Sequence, residues 1–101
     1  MDQVIEHKKL KTEFIFNASA MEAFRFPIKN SIRISFWLEG SNYSSPSEIT
    51  FEKAMVNIEE KVEASILIVN VFDEIRIGNT FLVGVFPKII GEGIIKKIEN
   101  E

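Results

Sequence analysis

The last third of the chain, residues 75–98, reads IRIGNTFLVGVFPKIIGEGIIKKI and limits the possible folds more than any other stretch. Two apolar runs are separated by Pro87-Lys88, and the second carries Gly91-Glu92-Gly93 at its centre. Both runs have strand composition, and glycine inside a strand marks a bend or a close approach by other backbone. Small barrels need such sites, because their strands must turn corners for the sheet to close on itself.

The rest of the sequence carries the same period. Residues 10–16 alternate, with Leu10, Thr12, Phe14 and Phe16 on one face and Lys11, Glu13 and Ile15 on the other, as a half-buried strand requires. Ser19-Ala20-Met21-Glu22 matches a capping box and predicts a helical turn over one end of the sheet. Residues 32–38 alternate again: Ile32, Ile34, Phe36 and Leu38 share one face, and Arg33, Ser35 and Trp37 the other. Residues 40–46, Gly-Ser-Asn-Tyr-Ser-Ser-Pro, form a turn-rich loop. Residues 49–55 make a strand with Ile49, Phe51 and Met55 inward, and Glu59-Glu60-Lys61 a turn. Residues 62–72 are a long apolar run rich in β-branched side chains, which suits a strand covered on both sides. Asp73 to Gly78 turns the chain. Residues 80–86 and 89–98 supply the last two strands, with Pro87 between them where a missing N–H costs little.

Six strands at short spacings, with no long helix, predict an all-β protein: a small closed six-stranded antiparallel-type β-barrel. Closure removes the free edges that a phenylalanine-rich sheet would expose to aggregation. Residues 1–9 are expected to be a flexible leader and residues 10–101 a single barrel domain. The 101 residues allow one modest core, and 46% apolar with 27% charged residues is ordinary for a folded domain. Nine phenylalanines against one tyrosine and one tryptophan predict a core built from phenyl rings. The sequence has no cysteine, which removes disulfides and thiolate metal sites. The charged N-terminus lacks the apolar segment of a signal peptide, and no apolar run reaches the length of about 20 residues that a membrane helix needs. A cytoplasmic protein with no membrane association is therefore expected.

The spacing of several residues also resembles the third, C-terminal domain of elongation factor Tu. Pro27, Arg33, Phe36 and Trp37 stand within FPIKNSIRISFW where that family has a Pro, then a Gly-Tyr-Arg-Pro step and alternating aromatics. Ser31 and Ile32 occupy the Gly-Tyr places, and Ile34 replaces the second Pro. Val56 and Ile58-Glu59-Glu60 fall at the family's Val-Met-Pro-Gly-Asp turn, without its Pro-Gly pair. Gly78 and Phe81 match its Gly-x-x-Phe, Gly91 and Gly93 its closing Gly-x-Gly, and Lys88 stands where it has Arg. Its Arg-Glu-Gly-Gly becomes Gly84-Val85-Phe86-Pro87 here. The likeness spans residues 11–98 and implies a small β-barrel. It implies no GTPase, since it covers neither the GTP-binding domain nor the second barrel. In the family this domain is a binding platform that contacts the tRNA stem and packs on neighbouring domains.

Chemistry-bearing residues are sparse. His7, the only histidine, lies in the expected leader, and the aspartates Asp2 and Asp73 are far apart. Glu59, Glu60 and Glu63 offer oxygen ligands for a hard cation, but such a cluster at a turn is ordinarily a solvated one. Gly91-x-Gly93 lacks the pattern and strand-to-helix setting of a phosphate loop. No enzyme activity, cofactor or metal is expected. For binding, Arg33 and Trp37 on one outer face, with Tyr43 in the adjacent loop, have the composition of a protein-interface hot spot; the other reading is that Trp37 covers the barrel mouth or packs under the loop of residues 40–48. The alternative is RNA, held through Lys29, Arg33, Lys88 and Lys96 as the resemblance implies. A net charge of −3 argues against non-specific nucleic-acid binding. A protein partner is the first expectation, in a regulatory or toxin-neutralising role.

Overall fold

A computed structural model describes residues 7–69 and 74–99. Six antiparallel strands close into a barrel in the order β1-β4-β3-β2-β5-β6: β1 (His7–Phe16), β2 (Ile28–Leu38), β3 (Ser45–Val56), β4 (Val62–Val69), β5 (Thr80–Val85) and β6 (Lys88–Glu99). The fold class expected from the alternation is therefore observed. Most of the expected leader lies outside the described residues, as do Asp2, Asp73 and the end of the long apolar run. Its last three positions do not belong to a leader. His7, Lys8 and Lys9 open β1, opposite Val69, Ile68 and Leu67 of β4.

The core is a column of phenyl rings. Phe26 meets Phe16 edge to face at 5.2 Å, Phe16 meets Phe14 at 4.8 Å, Phe14 lies parallel to Phe81 at 6.2 Å, and Phe81 stacks on Phe36 at 5.2 Å. Phe51 joins from the side at 5.8 Å from Phe14 and 5.6 Å from Phe16. Aromatic pairs in such geometries add about 0.5–1.5 kcal/mol each beyond the area they bury. Leu10, Ile49, Ile66, Ile68 and Ile95 fill the remaining volume. Thr12, also fully buried, satisfies its hydroxyl by donating to the Ala64 carbonyl at 3.0 Å.

The two glycines of β6 make this column possible. Gly93 stands opposite Phe14 of β1 and Phe81 of β5, so the two rings meet across a residue that has no side chain. A Cβ on Gly93 would overlap the Glu13 carbonyl oxygen and lie 2.6 Å from the Phe81 ring. A Cβ on Gly91 would lie 2.6 Å from the Phe14 ring. Here glycine serves close approach, the second of the two roles its place in a strand allows.

Several local expectations need correction. The helical turn is the 3₁₀ segment Ala18–Glu22, but its cap is Asn17, whose side-chain oxygen accepts from the Ser19 N–H at 2.9 Å; the Ser19–Glu22 box does not form. β2 begins at Ile28, earlier than the clear alternation, and β3 begins at Ser45, inside the expected loop. Met55 is exposed and Val56 is buried in its place. The cause is a register shift: Ser31 pairs with Thr50 and Lys29 with Met55, two steps along β2 against five along β3. That odd surplus reverses which side chains of β3 face inward. β4 is covered on one side only, with Val62, Ala64, Ile66 and Ile68 buried and Glu63 exposed.

Gly93→Ala is expected to cost about 3 kcal/mol, the upper end for overpacking a core. Gly40→Ala, at φ 85° with open space around it, costs about 1 kcal/mol through its backbone alone. Urea melts of the two variants test the contrast; equal losses would remove Gly93 as the seat of the rings.

Candidate functional site

With phenyl rings filling the barrel, the outer wall carries whatever this chain presents to other molecules. Trp37 points outward from β2, as its alternation with Phe36 requires, but it is not exposed. Only 5% of its surface meets solvent, because Phe86 packs against it edge to face at 5.1 Å. Phe86 and Pro87 form the turn between β5 and β6, across which Val85 pairs with Lys88. Polar residues with a glycine are usual at a two-residue hairpin tip. This tip is apolar: Val85 is 72%, Phe86 40% and Ile89 39% exposed.

The expected protein-binding residues are thus only partly assembled. Arg33 and Trp37 do share the outer face of β2, with Ser35 between them. Arg33 is exposed and its Nε donates to Glu48 of β3 at 3.4 Å. It stands at the rim of a shallow groove floored by Ser35, Pro46, Leu67 and Val69. Tyr43 is exposed in the turn between β2 and β3, where its N–H donates to the Ser41 hydroxyl at 3.1 Å. Phe86, Val85 and Ile89 were not anticipated as surface residues. The signal that marks them is Val85-Phe86-Pro87, an apolar sequence at a position where the chain has to turn.

The cations of the RNA set are dispersed. Lys29 is exposed near one end of β2, opposite Met55. Lys88 donates to Glu22 of the 3₁₀ turn at 2.7 Å. Lys96 lies 3.9 Å from Glu13, which is also 3.4 Å from Lys61. The hydrogen bond from Lys88, followed by its positive charge, lowers the pKa of Glu22 below the usual glutamate value. Glu60 is lowered in the same sense by a hydrogen bond from Lys53 and another from the Asn57 N–H.

At the β3–β4 turn Glu60 is held in this way by Lys53 and the Asn57 N–H. Among the described residues, no group of three or more His, Asp or Glu side chains converges as metal ligands would, and no helix is long and apolar enough to cross a membrane. His7 sits at the start of β1, exposed. No protein-family model matches the chain, and no curated protein matches it.

Trp37 is the only tryptophan, so its fluorescence reports the cover that Phe86 provides. Phe86→Ala is expected to shift the emission to the red and to raise quenching by iodide; unchanged emission would mean that Phe86 does not shield the indole. The Glu22–Lys88 pair has a predicted pH signature. A carboxylate whose folded pKa is depressed adds stability above its unfolded pKa and loses it as pH falls through the folded pKa. NMR titration should find Glu22 ionising below the free glutamate range, and Lys88→Met should return it to that range.

Proposed function

We propose that this chain is a non-catalytic docking barrel, resembling the third domain of elongation factor Tu, that binds a protein partner through its outer wall. The observation that carries this reading is the apolar outcrop of Val85, Phe86 and Ile89 over Trp37. Exposed aromatic side chains and arginines are the kind of residue that dominates interface energetics. Arg33 and Tyr43 belong to the same reading as polar and aromatic contacts around this wall, while Trp37 acts beneath it as the support for Phe86. A regulatory or toxin-neutralising role is the narrower form of the proposal, and it draws on the fold analogy alone.

The second reading is an RNA-binding barrel. Its support is that Lys29 and Arg33 stand exposed on one strand, as a phosphate-tracking stripe would. Against it, Arg33, Lys88 and Lys96 each have a carboxylate within 4 Å, so the local positive field is partly cancelled.

Affinity capture with the wild-type chain and with the variant Tyr43→Ala, Phe86→Ser tests the first reading. Loss of the captured partner by tenfold or more, about 1.4 kcal/mol, is expected while the variant keeps a cooperative melt. Identical partner sets would remove this wall from the account. For the second reading, a gel shift against bulk tRNA at low salt is decisive: absence of a shift at about micromolar protein rejects it, because phosphate contacts are strongest there.

A further inference from the structure

The barrel is closed, but it is not closed along its whole height. β5 has six residues and pairs with β2 only at Ser35, Phe36, Trp37 and Leu38. The chain then turns at Phe86-Pro87 and leaves. The first half of β2, from Ile28 to Ile34, is paired with β3 on one side and, among the described residues, has no strand on the other. Lys29, Asn30 and Ser31 are exposed in succession at the register shift with β3, where Asn30 takes a φ of 63°, and regular alternation holds from Ser31 onward.

The direction of the backbone groups can be read as well. The Ile34 carbonyl accepts from the Ser47 hydroxyl at 2.8 Å, so it faces β3. Peptide groups alternate sides along a strand, which turns those of Ser35 toward β5, where Ser35 pairs with Gly84. The same alternation turns the N–H and C=O of Arg33 and Ser31 toward the side that β5 has vacated. An unpaired row of this kind is a template for an added strand.

We infer that an extended, acidic segment of a partner protein adds to this edge as an antiparallel strand, pairing with the backbone at Ser31 and Arg33. The charge pattern selects the occupant. β2 carries Lys29 and Arg33 and no carboxylate over its whole length. The existing contact of Arg33 with Glu48 is between exposed groups, worth little, and readily exchanged. A second copy of this chain is the wrong partner. Antiparallel pairing of two such edges about Ser31 sets Lys29 of each opposite Arg33 of the other, and like charges directly opposed disfavour the pair. A strand with carboxylates on the face that meets Lys29 and Arg33 gains two attractions instead. Strand addition of this kind takes its affinity from main-chain hydrogen bonds and its selectivity from alternate side chains.

This inference rests on the protein-docking reading and specifies its mode. The test uses the full chain and a capped hexapeptide of alternating valine and glutamate, followed by amide NMR. Shifts confined to β2 around Ser31 and Arg33 are expected, with slowed exchange of those two amides and a Kd on the order of 1 mM. The lysine counterpart and a backbone N-methylated copy of the peptide should give none. Raising the salt from about 0.05 M to about 0.5 M should weaken binding about threefold. In the double variant Lys29→Glu, Arg33→Glu, the lysine peptide should bind and the glutamate peptide should not.

Any of four results would overturn the edge proposal. They are no shift at millimolar peptide, shifts elsewhere on the barrel, β2 shifts that appear with protein concentration alone, and β2 shifts given by tRNA but not by the peptide. Failure here with partner capture intact would leave docking standing and move it to the Phe86 outcrop, whereas loss of capture by the Tyr43 and Phe86 variant with edge binding intact would do the reverse.

Discussion

The contact between phenyl rings and bare glycine backbone governs the rest of this structure. Phe14 and Phe81 come from strands on either side of β6 and meet across Gly93, so their stacking depends on the absence of a side chain there. With both rings seated, β1, β6 and β5 are drawn close enough to curl. The same column then receives Phe36 from β2, Phe51 from β3 and Phe16 from further along β1. One row of residues thereby ties together strands that are far apart in sequence. Close packing of this kind tolerates neither an added methyl group at the glycines nor the loss of a ring, since interiors are packed to crystal density.

A filled interior shapes what remains available outside. Among the described residues every buried side-chain polar atom has a hydrogen-bond partner. The outer wall carries ion pairs, Glu13 of β1 with Lys61 and Lys96 and Arg33 of β2 with Glu48 of β3. It also carries the apolar β5–β6 tip and the half of β2 that β5 does not reach. The tip and the unreached half of β2 follow from the shortness of β5: the strand ends early, its turn folds back over Trp37, and no other described strand pairs with the neighbouring edge.

Much of the barrel was legible in the residue alternation, and the exceptions have particular causes. Leu10, Thr12, Phe14 and Phe16, and likewise Ile32, Phe36, Ile49 and Phe51, face the core as their period predicts. The start of β3 was hidden because the inward positions there are Ser45 and Ser47, polar residues that break the apolar pattern. The inward role passes from Met55 to Val56 through a register shift against β2, which no property of β3 alone encodes. The beginning of β2 was hidden for a related reason: after the buried Ile28 come Lys29, Asn30 and Ser31, polar and exposed in succession. Site residues were less legible than fold. The outward direction of Trp37 follows from alternation, but its burial depends on Phe86, which comes from another strand pair. Charge pairing of Lys88 with Glu22 likewise depends on where a short 3₁₀ turn lands. Surface function is set by such long-range neighbours, and a linear pattern does not carry them.

The seating of the rings on the glycines can be observed directly in the proton NMR spectrum. The α-protons of Gly91 and Gly93 should be shifted upfield by ring currents, and they should show nuclear Overhauser contacts to the Phe14 and Phe81 ring protons. Glycine α-protons at their random-coil positions, with no contacts to either ring, would contradict the closed, ring-filled barrel.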